Sequence, residues 1–292
     1  MLDLTYIGQI VVNGISVGCI YGLIGIGFCV IYNASGIVNF AQGAFVMLGG
    51  MTAYVALTSF GVPLFFAGLI AVVVVALLGV LIEFVVVRPL WNRNATMFVM
   101  ILATLAAQIV IERATLIVVG DQPKSIRVFT DLPPIKLAGI SISYQILWII
   151  GVSVLLIAAL GIFFKSTLVG RAMRACAINR EAAALQGIPV ARMLALSFAL
   201  SAALGAIAGF LLTPTQYTSY NIGTPFAISG FIAAIVGGFG RPFGAFLGGI
   251  VLGLLQALAV VTFGSGMKNV AALSVLLIFL FIRPSGILGA AK

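Results

Sequence analysis

Residues 18–54 read GCIYGLIGIGFCVIYNASGIVNFAQGAFVMLGGMTAY, two apolar stretches joined by a polar break. Both stretches are rich in glycine, which lets helix backbones approach closely inside a membrane. The break brings Asn33, Asn39 and Gln42 together around Gly36. Polar side chains at a break between two spans are typical of a translocation path or its gate. A tight turn capped by Asn and Ser side chains needs the same residues, so both interpretations stay open.

The composition extends this apolar pattern to the whole chain. Of its 292 residues, 63% are hydrophobic and 7% are charged. A soluble domain carries roughly 25% charged residues, so most of this surface must face lipid. Apolar spans of about 20 residues follow one another nearly end to end, which is the length of a membrane crossing. Because lipid cannot satisfy exposed backbone polar groups, the sequence predicts an all-α polytopic membrane protein.

The apolar pattern predicts a bundle of about eight or nine transmembrane helices. Together they form one transmembrane domain, residues 1–292. The approximate spans are residues 6–32, 37–57, 63–87, 96–119, 143–164, 193–213, 226–239, 243–263 and 270–282. The seventh span is short for a crossing and is equally consistent with a re-entrant or broken element, which leaves the count between eight and nine.

Lysine and arginine cluster in four of the segments outside the spans. The residues are Arg88, Arg93, Lys165, Arg171, Arg174, Arg180, Arg192, Arg241, Arg283 and Lys292. Nine spans put all of them on one side, which the positive-inside rule assigns to the cytoplasm. We therefore expect an external N-terminus, a cytoplasmic C-terminus and an external loop at residues 120–142. The net charge of +9 then marks one membrane face, and no basic run indicates nucleic-acid binding.

A polar stripe crosses the fourth predicted span. Thr104, Gln108 and Glu112 are spaced at i, i+4 and i+8 and so share one helix face. An ionisable side chain inside a span is unfavourable and points to a function, so the stripe is a candidate lining of the path, with plain bundle packing as the alternative. Glu83 in the third span lies about one turn from Arg88, and for these two a structural ion pair is favoured.

No residue pattern indicates an enzyme. There is no histidine for acid–base chemistry, no cluster of carboxylates and no phosphate-binding loop of the Gly-x-x-x-x-Gly-Lys-Ser/Thr type. Cys19, Cys29 and Cys176 are expected to be free thiols rather than a disulfide framework or a metal site. The sequence therefore predicts no catalytic residue, no metal site and no cofactor, and any ATP that drives transport must be bound by another chain.

The loop at about residues 165–192 is the most charged window, with five basic residues and one acid. Asn179 is a favourable N-cap, and Glu181 places negative charge in the first helical turn. Residues 180–186 are strong helix formers, Gly187 suits a left-handed C′ position and Pro189 prevents continuation.

The pattern predicts a short cytoplasmic helix with a small apolar face that fits a groove on a soluble partner. This face consists of Ala182, Ala183, Leu185 and Ile188. A connector that rests on the membrane surface is the alternative, but it would carry larger apolar residues.

Three segments, one of them with a shorter motif inside it, resemble known transport proteins. EAAALQG, at residues 181–187, resembles the E-A-A-x-x-x-G loop of bacterial ABC importer permeases. Residues 18–54, GRAMRACAINREAAALQGIPVARM at 170–193 and GGFGRPFGAFLGGIVLGLLQ at 237–256 resemble the branched-chain amino acid permease family (LivH/LivM type), closest to its LivH branch. The resemblance implies a multi-pass permease subunit of the bacterial inner membrane that imports branched-chain or related neutral amino acids.

The same resemblance implies partners and a coupling site. The expected partners are a second, LivM-like permease, two ATP-binding subunits that hydrolyse ATP and an external substrate-binding protein. Coupling to the ATPase is expected at Glu181, Ala182, Ala183 and Gly187. Relatives assigned to urea and short amides keep those substrates open. A secondary transporter that is driven by ions through Glu112 or Glu83 is the alternative from another class.

Overall fold

The computed structural model of the chain describes residues 4–137, 139–283 and 285–288. Within these residues the secondary structure is almost entirely helical, as the sequence predicts. One antiparallel hairpin, β1 (Ile135–Leu137) and β2 (Ile140–Ile142), follows the fifth helix. The helices are α1 (Leu4–Ser35), α2 (Gln42–Ser59), α3 (Leu64–Ile82), α4 (Arg88–Asn92), α5 (Met97–Val119), α6 (Tyr144–Ser166), α7 (Leu168–Ile178), α8 (Arg180–Leu185), α9 (Val190–Gln216), α10 (Gly223–Gly237), α11 (Pro242–Phe263) and α12 (Lys268–Ile282).

Among the described residues, seven helical segments are long and apolar enough to cross a membrane. They are α1, α3 with its continuation through α4, α5, α6, α9, α11 and α12 preceded by a short 3₁₀ turn. The other two predicted spans correspond to α2, with 18 residues, and α10, with 15. A helix therefore corresponds to each of the nine predicted spans, and the seventh is short, as the sequence indicates. The protein is an all-α polytopic membrane protein.

Helix α1 lies at the centre of the bundle. Every residue from Gly18 to Ile31 is buried. Helix α11 packs against it so closely that a Cβ atom at Gly18 would lie 2.7 Å from the Cα atom of Ile250. Glycine is needed here because the backbones of the two helices touch. The predicted role of the glycine stripes in helix packing is confirmed for this pair.

Helix α2 begins inside the bundle. Its first residue, Gln42, is hydrogen-bonded to Ser201 of α9, which lies about 16 Å along α9 from its start at 1.5 Å per residue. Residues 36–41 are irregular and mostly buried. The prediction that the second span starts at Ile37 is therefore wrong. Irregular backbone at this depth is tolerated because side chains satisfy it: the Ser35 hydroxyl, for example, accepts from the Ile37 N–H at 3.0 Å.

Helix α10 begins inside the bundle as well. After α9 ends, residues 217–222 run back along α2, and a Cβ atom at Gly50 would lie 2.8 Å from the Thr218 hydroxyl. The backbone of Gly223, at the start of α10, contacts the backbone of Gly43, at the start of α2. The N-termini of α2 and α10 thus meet in the interior, and the two helices run from there toward opposite ends of the bundle.

The two ends of the bundle differ in charge. At one end Gln9 of α1 is hydrogen-bonded to the backbone of Ser141, so the loop of residues 120–142 covers the start of α1. At the other end, which we call the basic end, Asn33 is hydrogen-bonded to Gly240 and Arg180 stacks on Trp91. These contacts bring the basic segments that the sequence places on one side to one end of the bundle.

Glu83 and Arg88 form the predicted ion pair. The guanidinium donates to both carboxylate oxygens, at 3.0 and 2.8 Å. The Glu83 side chain is completely buried, whereas that of Arg88 is partly exposed. Glu83 begins a π-helical turn at Glu83–Val87, and Arg88 follows it directly. A buried carboxylate that is held by two charge-assisted hydrogen bonds is accounted for structurally. The pair therefore supports the structural interpretation of Glu83.

Candidate functional site

Two sites combine most of the residues that the sequence singles out. The first, which we call the helix-start junction, lies where α2 and α10 begin; it consists of Asn39, Gln42, Gly43, Gly223 and Thr224. The N–H groups at the start of a helix carry partial positive charge, so this junction concentrates positive potential inside the bundle. Half-helices that start in the middle of a membrane are a recurrent way to build a substrate or ion site.

Asn39 and Gln42 are both fully buried at the junction. The Gln42 amide donates to the Ser201 carbonyl at 3.2 Å and accepts from the Ser201 hydroxyl at 2.6 Å, so it links α2 to α9. The Asn39 carboxamide oxygen accepts from the Ala41 N–H at 3.1 Å. Its Nδ2 donor has no hydrogen-bond partner among the described residues. A buried donor without a partner is destabilising by about 1–3 kcal/mol, which singles out Asn39 within the junction.

The polar stripe of α5 faces this junction. Thr104 accepts from the Phe40 N–H at 3.2 Å, just before α2 begins. Gln108 donates to the Thr224 hydroxyl at 2.7 Å and to Glu112 at 3.1 Å, and Thr224 donates to Glu112 at 2.8 Å. The Glu112 carboxylate thus lies at the N-terminus of α10, where the helix dipole favours negative charge. The three stripe residues share one face and meet the starts of both half-helices.

Asn33 does not join the junction. Its Nδ2 donates to the Gly240 carbonyl at 2.7 Å and ties the end of α1 to the turn before α11. Ser35 and Asn39 do make the capping hydrogen bonds that a turn requires, yet both residues are buried. The local hydrogen bonds are those of the turn interpretation, and a role of these residues in a translocation path stays a prediction.

The second site is the loop around α8, which has the predicted cap at each end. The Asn179 side chain accepts from the Ala182 N–H at 3.0 Å. At the other end Gly187 has φ +79°, its N–H donates to Ala184 and the Ile188 N–H donates to Ala183, both at 3.0 Å. These two bonds form a Schellman motif. Helix α8 ends at Leu185, one residue earlier than predicted.

Helix α8 presents a mostly exposed outer surface at the basic end. Glu181, Ala182 and Gly187 are exposed, and the Leu185 side chain is 88% exposed. Ala183 is buried against the bundle. The prediction that Ala183 belongs to the outer apolar face is therefore wrong, because the turn geometry points its methyl group inward. Ala183 fixes α8 to the bundle, and the outer face belongs to the residues around it.

Arg180, at the start of α8, points back into the bundle. Its guanidinium lies 4.4 Å from the centre of the Trp91 ring and donates to the Ser35 carbonyl. Burial lowers the pKa of this guanidinium from its ordinary value, and burial raises the pKa of the nearby Cys176 thiol. The sequence pattern indicates Arg180 only as a basic loop residue and does not predict this contact.

The sequence pattern does not indicate two of the junction partners. Ser201 and Thr224 hold Gln42 and the α5 stripe. Ser201 is a hydroxyl inside an apolar span, and Thr224 lies two residues before the short seventh predicted span, so each gives only a weak signal. Their pairing depends on how α9 and α10 pack, which no local pattern reveals.

A bundle of membrane helices, with two half-helices that start in its interior and a capped polar helix at its basic end, defines a membrane permease. The sequence model of the family described as "Branched-chain amino acid transport system / permease component" matches residues 10–282. The chain therefore belongs to this family of ABC transport permeases.

Individual relatives match over nearly the whole chain. The chain is 35% identical to the high-affinity branched-chain amino acid transport system permease protein BraD of Pseudomonas aeruginosa, over 96% of this chain and 95% of that protein. It is 32% identical to the permease protein LivH of Escherichia coli, over 97% and 96%. A probable LivH of Methanocaldococcus jannaschii is 30% identical over 91% and 88%.

One solved structure has a similar fold. It is PsaBC from Streptococcus pneumoniae in complex with Fab, with a TM-score of 0.53 over 97% of this chain and 94% of that chain. The sequence identity is 14%, so this likeness concerns the fold alone.

Proposed function

We propose that the chain is the membrane subunit of an ATP-driven importer of branched-chain or closely related neutral amino acids. The observation that carries the proposal is α8: a six-residue helix, capped at both ends and exposed at the basic end, in a chain of an ABC permease family. A helix this short does not persist alone in water, so its caps and its anchor at Ala183 hold it in shape. Its exposed outer face is then available for contact with another protein. We call α8 the coupling helix.

The proposal requires partners. ATP hydrolysis is assigned to two separate ATP-binding subunits, which dock on the coupling helix through Glu181, Ala182 and Gly187. An external binding protein delivers the substrate, and a second, LivM-like permease completes the membrane core. The names of BraD and LivH support the substrate class. The mostly apolar bundle offers few side chains for selecting a substrate, so selection is assigned to the binding protein.

We propose that the helix-start junction contributes to the path or its inner gate. Asn39 has a buried donor without a partner among the described residues, which a passing substrate or water molecule can satisfy. The carboxylate of an amino acid suits the positive potential at the starts of α2 and α10. Glu112 and its partners Gln108 and Thr224 offer acceptor oxygens in the same region for the ammonium group.

The energy source and the substrate can be tested in proteoliposomes that contain the two permeases and the ATP-binding subunits, with loaded binding protein outside. We expect uptake of radiolabelled leucine only when ATP is enclosed, and no uptake with a non-hydrolysable analogue. Ionophores that collapse proton and sodium gradients should leave the rate unchanged. Uptake that needs no ATP but stops with an ionophore would establish the secondary transporter instead. Uptake of urea or a short amide in preference to leucine would change the substrate class.

We also propose that the basic end faces the cytoplasm. The support is the excess of lysine and arginine at that end and the balanced charges of residues 120–142. The N-terminus is then external, and the chain near residue 288, which hydrogen-bonds to Gly237, is cytoplasmic.

Single cysteines test this orientation in a background without the three native ones. Cys176 is buried and would label poorly, so exposed positions are used: Ser125→Cys in the external loop and Ala191→Cys at the start of α9. An impermeant maleimide added to intact cells is expected to label position 125 alone, and both positions after the cells are broken. Labelling of position 191 in intact cells would reverse the orientation.

A further inference from the structure

The coupling helix makes a second contact with the interior of the bundle, in addition to the packing of Ala183. Arg180 is the first residue of α8, immediately before the exposed Glu181. Its side chain lines a polar cavity of about 360 Å³ at the basic end, together with Ser35, Gly36 and Trp91 among others. It lies over the Trp91 ring and donates to the Ser35 carbonyl. One side chain therefore joins the docking surface to the end of α1.

The Ser35 carbonyl marks the point where the chain leaves α1. Ser35 is the last residue of α1, Gly36 has φ +65°, and the next five residues lead to Gln42 at the start of α2. A Cβ atom at Gly36 would lie 2.6 Å from an Arg180 nitrogen. Glycine at this position thus supplies the left-handed backbone and also the space that the guanidinium occupies. A cation at the last carbonyls of a helix is favoured by the helix dipole.

Trp91 makes the contact directional. A planar guanidinium that stacks on an indole ring keeps a fixed orientation, and Trp91 belongs to α4, the extension of α3. Arg180 is therefore clamped between α4 and the end of α1, and a movement of α8 must either carry Ser35 along or break this contact.

We infer that Arg180 is the positioning residue that transmits movement of the coupling helix to the helix-start junction, through Ser35 and residues 36–41. This inference rests on the proposed function, since it names the route by which docking of an ATP-binding subunit reaches the path. The competing route is rigid movement of α9, which follows directly after the loop. The two routes differ in their dependence on the Arg180 side chain.

The test compares Arg180→Gln and Arg180→Lys in the reconstituted importer. Two quantities are measured: ATP hydrolysis that loaded binding protein stimulates, and the amount of substrate moved per ATP hydrolysed. We expect Arg180→Gln to keep substantial stimulated hydrolysis, because the docking residues from Glu181 to Gly187 are unchanged. Transport per ATP is expected to fall at least tenfold. Arg180→Lys keeps a charged donor without the planar stack and should recover part of the loss.

Two further variants separate transmission from other effects. Arg192→Gln removes an exposed positive charge from the same end and should match the wild type. Trp91→Leu removes the stacking partner, leaves Arg180 in place and should likewise lower transport per ATP. This variant still tests the inference if Arg180→Gln fails to assemble. The melting temperatures of the assembled complexes should remain near that of the wild type.

The inference is wrong if Arg180→Gln shows normal transport per ATP, and movement would then be transmitted by α9. If Arg180→Gln does not assemble, the same conclusion follows from normal transport per ATP in Trp91→Leu. A parallel loss of hydrolysis and uptake in Arg180→Gln would also overturn the inference, since Arg180 would then serve docking. Absence of ATP-dependent uptake in the wild type and in Arg192→Gln would contradict the proposed function itself.

Discussion

Gly187→Val is expected to abolish substrate uptake and stimulated ATP hydrolysis while the chain still inserts into the membrane. Gly187 has φ +79°, and a Cβ atom there would meet nothing within 4 Å. The effect of the substitution is therefore confined to the backbone. A non-glycine residue in the left-handed region is destabilised by about 1–3 kcal/mol, with β-branched residues at the unfavourable end.

This strain acts on the Schellman motif, which ends the coupling helix. Each 1.4 kcal/mol changes an equilibrium constant by a factor of about ten. A strain of about 3 kcal/mol would therefore lower the population of the docking conformation by roughly 100-fold. Gly187→Asn should keep most activity, since Asn tolerates the left-handed region best among the other residues. Glu181→Ala should weaken uptake and hydrolysis by less than Gly187→Val, because loss of the helix-dipole effect alone is worth only about 0.3–1 kcal/mol.

Gly264→Val is a control for backbone strain, since its φ of 93° and ψ of 165° lie in a region that is essentially confined to glycine. Gly264 has φ +93°, also without neighbours around the added Cβ atom, but it ends α11 at the opposite end of the bundle. Near-normal transport is expected from it. The measurement is hydrolysis by the reconstituted complex with and without loaded binding protein. If Gly187→Val couples as well as Gly264→Val, the helix is a passive connector and the proposed docking role is wrong.

The sequence predicts this loop better than the junction because the loop is defined locally. The N-cap at Asn179 and the left-handed Gly187 lie within a few residues of the turns that they terminate, and both are confirmed. Glu83 and Arg88 are likewise near neighbours in the chain, and their pairing is confirmed. Where the contacting residues are near neighbours in the chain, residue type and spacing are sufficient to predict the contact.

The start of α2 is a feature that the sequence pattern does not predict correctly. Ile37, Val38 and Phe40 are apolar, and a buried irregular segment needs the same residues as a buried helix, so the predicted span begins too early. The sequence pattern does not predict helix α7, because the charges of its 11 residues are typical of a loop as well as of an amphipathic helix. The meeting of Gly43 with Gly223 depends on the path of two distant segments, and no periodicity encodes it.

Gly209→Ala is expected to be among the most damaging single-methyl changes in the bundle. Gly209 lies in α9, and an added Cβ atom would overlap the Val46 carbonyl oxygen of α2 and lie 3.2 Å from the Gly50 nitrogen. Both obstacles are backbone atoms of a helix, so no side-chain rotation can relieve the overlap. Overpacking of this kind is destabilising by about 1–3 kcal/mol or more, and the separation of α2 from α9 would also strain the link from Gln42 to Ser201.

Gly151→Ala is the control because its effect on stability should have the opposite sign. Gly151 lies in α6, and a Cβ atom there meets nothing within 4 Å. Alanine favours a helix over glycine by about 0.8–1 kcal/mol, so Gly151→Ala should be neutral or stabilising. We expect a clearly lower melting temperature and little monodisperse protein for Gly209→Ala in detergent, measured by heating followed by gel filtration. Equal melting temperatures for the two variants would show that α2 and α9 are not in backbone contact, and the position of the helix-start junction would then be incorrect.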